Sequence, residues 1–123
     1  VSIKNDLAYY LACRAKGEDL DEAKKHIDNV LENDLLLLQK EGLAIPMGAF
    51  SDTRGFIYLK MYQQTRNTDY LYRAGDDLKK GHDEDKKNPI RSQNFLKWAE
   101  LMHEAKALVS GLNLSNNAEG KSV

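Results

Sequence analysis

The segment from Asp19 to Pro46, DLDEAKKHIDNVLENDLLLLQKEGLAIP, restricts the possible folds more than any other. Asp19 is placed to cap a helix, and Glu22, three residues on, to return the capping bond. Leu20, Ala23, Ile27, Val30, Leu31 and Leu38 then recur at helical spacing, which lines them along one side of a rod. Gly42 supplies a left-handed stop, and Pro46 prevents the helix from resuming. A helix over 20–41 is roughly 33 Å long at the usual rise per residue, a full edge of a small domain.

The same segment carries four consecutive leucines, Leu35 to Leu38. At about 100° per residue, Leu38 projects near the centre of the apolar stripe, Leu35 and Leu37 lie on its shoulders, and Leu36 points to the opposite side. Asp34 falls within about 20° of the stripe centre, which makes it a candidate buried charge. A carboxylate there requires a partner such as Arg14, a tyrosine hydroxyl or a helix N-terminus, or else a local rotation of the helix.

The remaining segments also read as helices. Ser2 is a plausible cap for a first helix with Ile3, Leu7, Tyr10 and Leu11 on one face and Gly17 as its stop. FIYLKMY, residues 56–62, follows the cap-rich SDTRG and is apolar almost all round, with Lys60 and Gln64 on the exception. A helix of that kind belongs in the middle of a bundle or at an interface. Thr68, the stripe Leu71, Ala74 and Leu78, and the stop Gly81 predict a shorter fourth helix. GHDEDKKNP, residues 81–89, reads as a polar linker. Asn88 and Pro89 then serve as cap and first residue of a last helix, in which Phe95, Trp98, Met102, Ala105 and Val109 share a face until Gly111. The expected fold is all-α, a compact antiparallel bundle of four to five helices, with one domain over 1–112 and a flexible tail over 113–123.

Charge narrows the function classes. Lys and Arg total 18 against 19 Asp and Glu, a net charge of -1, so no global field draws the chain to nucleic acid or to an anionic membrane. No stretch is long enough to span a bilayer, and the N-terminus lacks the layout of a signal peptide. The single cysteine, Cys13, cannot close an internal disulfide and fits a reducing cytoplasm.

Sequence chemistry is sparse. Glu100 and His103 have the Glu-x-x-His spacing of di-iron bundles, but there is no second copy, and both project away from the Trp98 and Met102 face. His82 with Asp83, Glu84 and Asp85 lacks the alternation of a calcium loop. His26 reads as a surface residue beside lysines. Phosphate loops, dinucleotide fingerprints, nucleophile elbows and zinc pairs are missing. No catalytic residue, cofactor or metal is therefore expected.

These features favour a non-enzymatic interaction protein that self-associates as a homodimer or docks on another protein. Its candidate interface is Leu36, Phe56, Tyr58 and Tyr62, supported by six tyrosines in all: Tyr9, Tyr10, Tyr58, Tyr62, Tyr70 and Tyr72. The rival expectation is a nucleic-acid-binding regulator that grips phosphates with Arg66, Arg73 and Lys79, although acidic residues interrupt that basic series. An enzyme or metal bundle has least support.

Overall fold

The computed structural model describes residues 1–121, with side chains described through Gly111. Its elements are α1 (Ser2–Arg14), α2 (Asp19–Asn29), a π turn (Val30–Asp34), α3 (Leu35–Lys40), α4 (Gly48–Thr65), α5 (Thr68–Glu84) and α6 (Pro89–Lys121). The described residues contain no strand. The loops between α1 and α2, α4 and α5, and α5 and α6 are short, and each of these pairs packs together, so consecutive helices run antiparallel, as a bundle requires. The fold is a compact all-α bundle. Helix α4 lies at its centre, against α1, α2, α5 and α6, as the all-round apolar FIYLKMY segment demands.

The predicted long helix is present as one rod over α2, the π turn and α3, and Gly42 ends it. Gly42 is left-handed (φ 84°), with Gly42 N donating to Gln39 O at 3.0 Å and Leu43 N to Leu38 O at 3.1 Å, a Schellman stop. The N-terminal cap differs from expectation. Asp19 is the first helical residue and makes no cap bond. Instead its carboxylate accepts from Arg14 Nε at 2.8 Å, Arg14 Nη2 at 3.0 Å and Lys16 N at 2.9 Å. Those bonds, the Arg14 fork first, hold the Asp19 carboxyl down at about 2 and tie the α1–α2 corner together.

The π turn corrects the leucine projection. Leu35 N–H reaches back five residues to Val30 O, so the turn contains one residue more than an α-helical turn. Everything after it is rotated, and Leu35, not Asp34, continues the stripe of Ile27, Val30 and Leu31. Leu35 is completely buried, Leu38 half-buried, and Leu36 and Leu37 are 46% and 60% exposed. Leu37 therefore does not widen the core face. Asp34 is half-buried rather than buried, and its partner is Lys4 on α1, Nζ to Oδ2 at 2.8 Å, not Arg14, a tyrosine or a helix end.

Two predicted boundaries move, the second because Gly81 is a contact point and not a stop. Helix α4 begins at Gly48, so Ser51, Asp52 and Thr53 lie buried within it instead of capping it. Helix α5 passes through Gly81, where a Cβ would sit 2.9 Å from both Asp52 Cβ and Gly48 O. The polar linker thus shrinks to 85–88, and His82 stands inside α5 with its ring stacked on Phe95 at 4.9 Å. Asn67, not Thr68, caps α5, accepting from Asp69 N at 3.0 Å.

Asn88 caps α6 as read from the sequence, accepting from Ile90 N at 3.0 Å and Arg91 N at 3.2 Å. Phe95, Trp98, Met102 and Ala105 pack on the core, while Val109 is exposed. Trp98 lies over Gly75 and donates from Nε1 to Leu71 O at 2.9 Å. Gly111 does not end α6, whose backbone continues to Lys121. Of the proposed tail 113–123, the side chains and residues 122–123 lie outside the described residues.

On α1 the observed face keeps only Leu11 of the predicted one. Ala8, Leu11 and Ala12 are buried, whereas Ile3, Leu7 and Tyr10 are exposed. Small residues face the rest of the bundle, which lets α1 approach closely and leaves its larger apolar side chains outside.

Candidate functional site

The residues predicted as interface or binding sites are dispersed. Tyr58 and Tyr62 are buried, 6% and 5% exposed, and so offer no free surface. They belong to the core because α4 is the central helix. Phe56 is half-buried, stacked on Tyr9 at 4.7 Å, with the Lys60 ammonium 5.4 Å from its ring. Leu36 is exposed on α3. Arg66 is the left-handed residue closing α4 and lies over Tyr62. Arg73 and Lys79 project from α5 about 120° apart, so the three basic residues form no single stripe. Glu100 and His103 are both exposed, and no group of three or more His, Cys, Asp or Glu side chains that could hold a metal ion is gathered among the described residues.

Two surfaces stand out instead. The first is apolar. Lys4 bridges to Asp34 and also donates to Asn29 Oδ1 at 2.7 Å, which holds the start of α1 alongside the π turn. Leu37, three residues beyond Asp34, stays on that side of the rod, whereas Leu36 projects about 100° further round. Ile3 (83% exposed) and Leu7 lie on the adjoining outer face of α1. Ile3, Leu7 and Leu37 are thus exposed apolar residues on the two rods that the Lys4–Asp34 pair joins.

The second is a cleft of 490 Å3 between α1, α4 and the start of α6. Helix α1 contributes Asn5, Asp6, Tyr9, Tyr10 and Cys13, α4 contributes Asp52, and α6 contributes Arg91. Asp52 is buried because Gly81 lets α5 close over it. One oxygen, Oδ2, accepts from Asn94 Nδ2 at 3.0 Å, and the other, Oδ1, has no hydrogen-bond partner. Burial raises the Asp52 carboxyl above its ordinary pKa, against the opposing pull of Asn94 and of the Arg91 charge. Tyr9 is also raised, first by burial and then by Cys13 and Asp52, so its phenol stays neutral. Sequence reading missed Asp52 because it treated SDTRG as a capping segment.

A third polar centre is structural. Arg54 on α4 forms a fork to Asp77 on α5, Nε to Oδ2 at 2.7 Å and Nη2 to Oδ1 at 3.0 Å, and its Nη1 reaches Asp28 Oδ1 at 3.3 Å and Glu32 Oε1 at 3.6 Å. Every guanidinium nitrogen is thereby engaged within the bundle.

Comparison with family models, with curated proteins and with solved structures finds no match to this chain, so its functional reading rests on these surfaces. No helix among the described residues is long and apolar enough to cross a membrane.

Proposed function

We propose that this protein is a non-enzymatic helical interaction module that self-associates through the α1–α3 face. The observation that carries the reading is the exposure of Ile3, Leu7 and Leu37 on the two rods joined by the Lys4–Asp34 pair. Large apolar side chains grouped on one face, with no role in the core, favour an interface. A second copy is the partner that fits best. The charges at the centre of the face cancel within each chain, so two such faces meet without net repulsion, and a twofold contact uses one surface twice.

Light scattering tests this. The expected mass is twice the 14.0 kDa of the chain, and Leu7→Lys or Leu37→Lys should return it to one chain with helicity unchanged. Each substitution is expected to weaken association by about 1–3 kcal/mol, the cost of losing a buried interface leucine. Leu36→Lys is the discriminating variant, because Leu36 points to the other side of α3. If it alone halves the mass, the interface lies there. A monomeric wild-type chain would refute self-association.

A further inference from the structure

The cleft between α1, α4 and α6 combines a cavity with unsatisfied chemistry. Two of its lining residues, Asn5 and Asp52, each hold a buried side-chain oxygen without a hydrogen-bond partner. Both atoms are acceptors, Asn5 Oδ1 and Asp52 Oδ1, and a buried acceptor without a donor is destabilising, more so when charged. Two nearby donors, Thr53 Oγ1 and Arg91 Nη1, are committed elsewhere. Thr53 Oγ1 donates to Ala49 O at 3.1 Å, and Arg91 Nη1 donates to Gly81 O at 3.1 Å and Glu84 Oε1 at 3.3 Å. No donor among the described residues bonds either oxygen, and the site therefore calls for one from outside.

Charge and shape define that donor. The cleft lining carries two acids, Asp52 and, at its rim, Asp6, against one base, Arg91, which is itself paired with Glu84, and this balance favours a cation. One carboxylate and one amide oxygen are too few ligands for a calcium or magnesium ion. They suit an ammonium group, whose N–H donors reach several acceptors at once. Above this polar floor the walls turn apolar, with Tyr9 stacked on Phe56 and with Tyr10 and Ile90 at the mouth. We propose that this cleft binds a small primary amine, its ammonium held by Asp52 and Asn5 and its apolar body lying along Tyr9, Tyr10 and Ile90.

The single cysteine provides the readout, since Cys13 lines the cleft and is exposed. The rate of Cys13 alkylation by iodoacetamide is measured with benzylammonium chloride, benzyl alcohol or tetramethylammonium chloride at equal concentration. Benzylammonium should slow alkylation severalfold. The alcohol lacks the charge and tetramethylammonium lacks N–H donors, so both should leave the rate unchanged. Asp52→Asn should weaken benzylammonium binding by about tenfold or more, the loss of a charge-assisted hydrogen bond, while leaving the unliganded thermal midpoint unchanged or higher, because burial already disfavours the charge there. Equal protection by all three compounds, protection by none, or undiminished protection in folded Asp52→Asn would overturn the proposal. If Asp52→Asn fails to fold, the comparison of the three compounds on the wild-type protein decides alone.

Discussion

Arg54→Met should lower the stability of the fold by about 3–5 kcal/mol, the usual cost of removing one partner from a buried ion pair. The size of the loss comes from what is left behind. The Asp77 side chain is only 5% exposed, and Arg54 is the partner that satisfies both of its oxygens. Without the guanidinium, Asp77 must either stay charged in a poor solvent or take up a proton. Asp28 loses less, because Lys24 still bonds it. Urea denaturation measures the effect, and the double variant Arg54→Met/Asp77→Leu supplies the check. It should recover most of the loss, since two apolar groups of similar volume leave no orphaned charge. A single-variant loss under about 1 kcal/mol would mean that the pair behaves like a surface salt bridge.

Gly55→Ala should also destabilise, by about 1–3 kcal/mol, although alanine is the better helix former by about 1 kcal/mol. The added Cβ would sit 2.5 Å from Leu78 Cγ, 2.7 Å from its Cδ2 and 3.1 Å from its backbone nitrogen. Leu78 is fully buried, so relief requires α4 and α5 to move apart. Gly111→Ala makes the sign plain. That glycine is also helical, but its Cβ would meet nothing within 4 Å, so the substitution should be neutral or stabilising. Thermal midpoints of the two variants should move in opposite directions.

The parts of the fold that were legible in the sequence are those where local chemistry and packing agree. Gly42 and Asn88 act at a stop and a cap as their residue types predict, and the all-round apolar 56–62 segment occupies the centre. Gly81 was misleading, because a glycine that admits a neighbouring helix and one that ends its own look alike in a single sequence. The α1 face was rotated, with Leu11 buried as expected, for a related reason: alanines can line an interface as well as large apolar residues can, and projection by hydrophobicity ranks them lower. The cleft was illegible altogether. Asp52 and Asn5 are 47 positions apart, and only the close approach of α1, α4 and α5 turns an ordinary polar residue into an orphaned buried acid.

The π turn carries a further implication, for tolerance of length change. A deletion inside a regular helix rotates everything after it by about 100° and exposes what was buried. Within Val30–Asp34 the chain already holds one residue in excess of α-helical geometry. Deleting exposed Asn33 should therefore convert the segment into an uninterrupted α-helix, with Leu35 still continuing the line of Ile27 and Leu31 and Asp34 still facing Lys4. Deleting Lys25 from α2 should instead collapse the fold. Circular dichroism and thermal melts of the two deletions would compare them directly. If only the first survives, the rod behaves as an ordinary helix that has absorbed a one-residue insertion, and this is the position at which its length is free to vary.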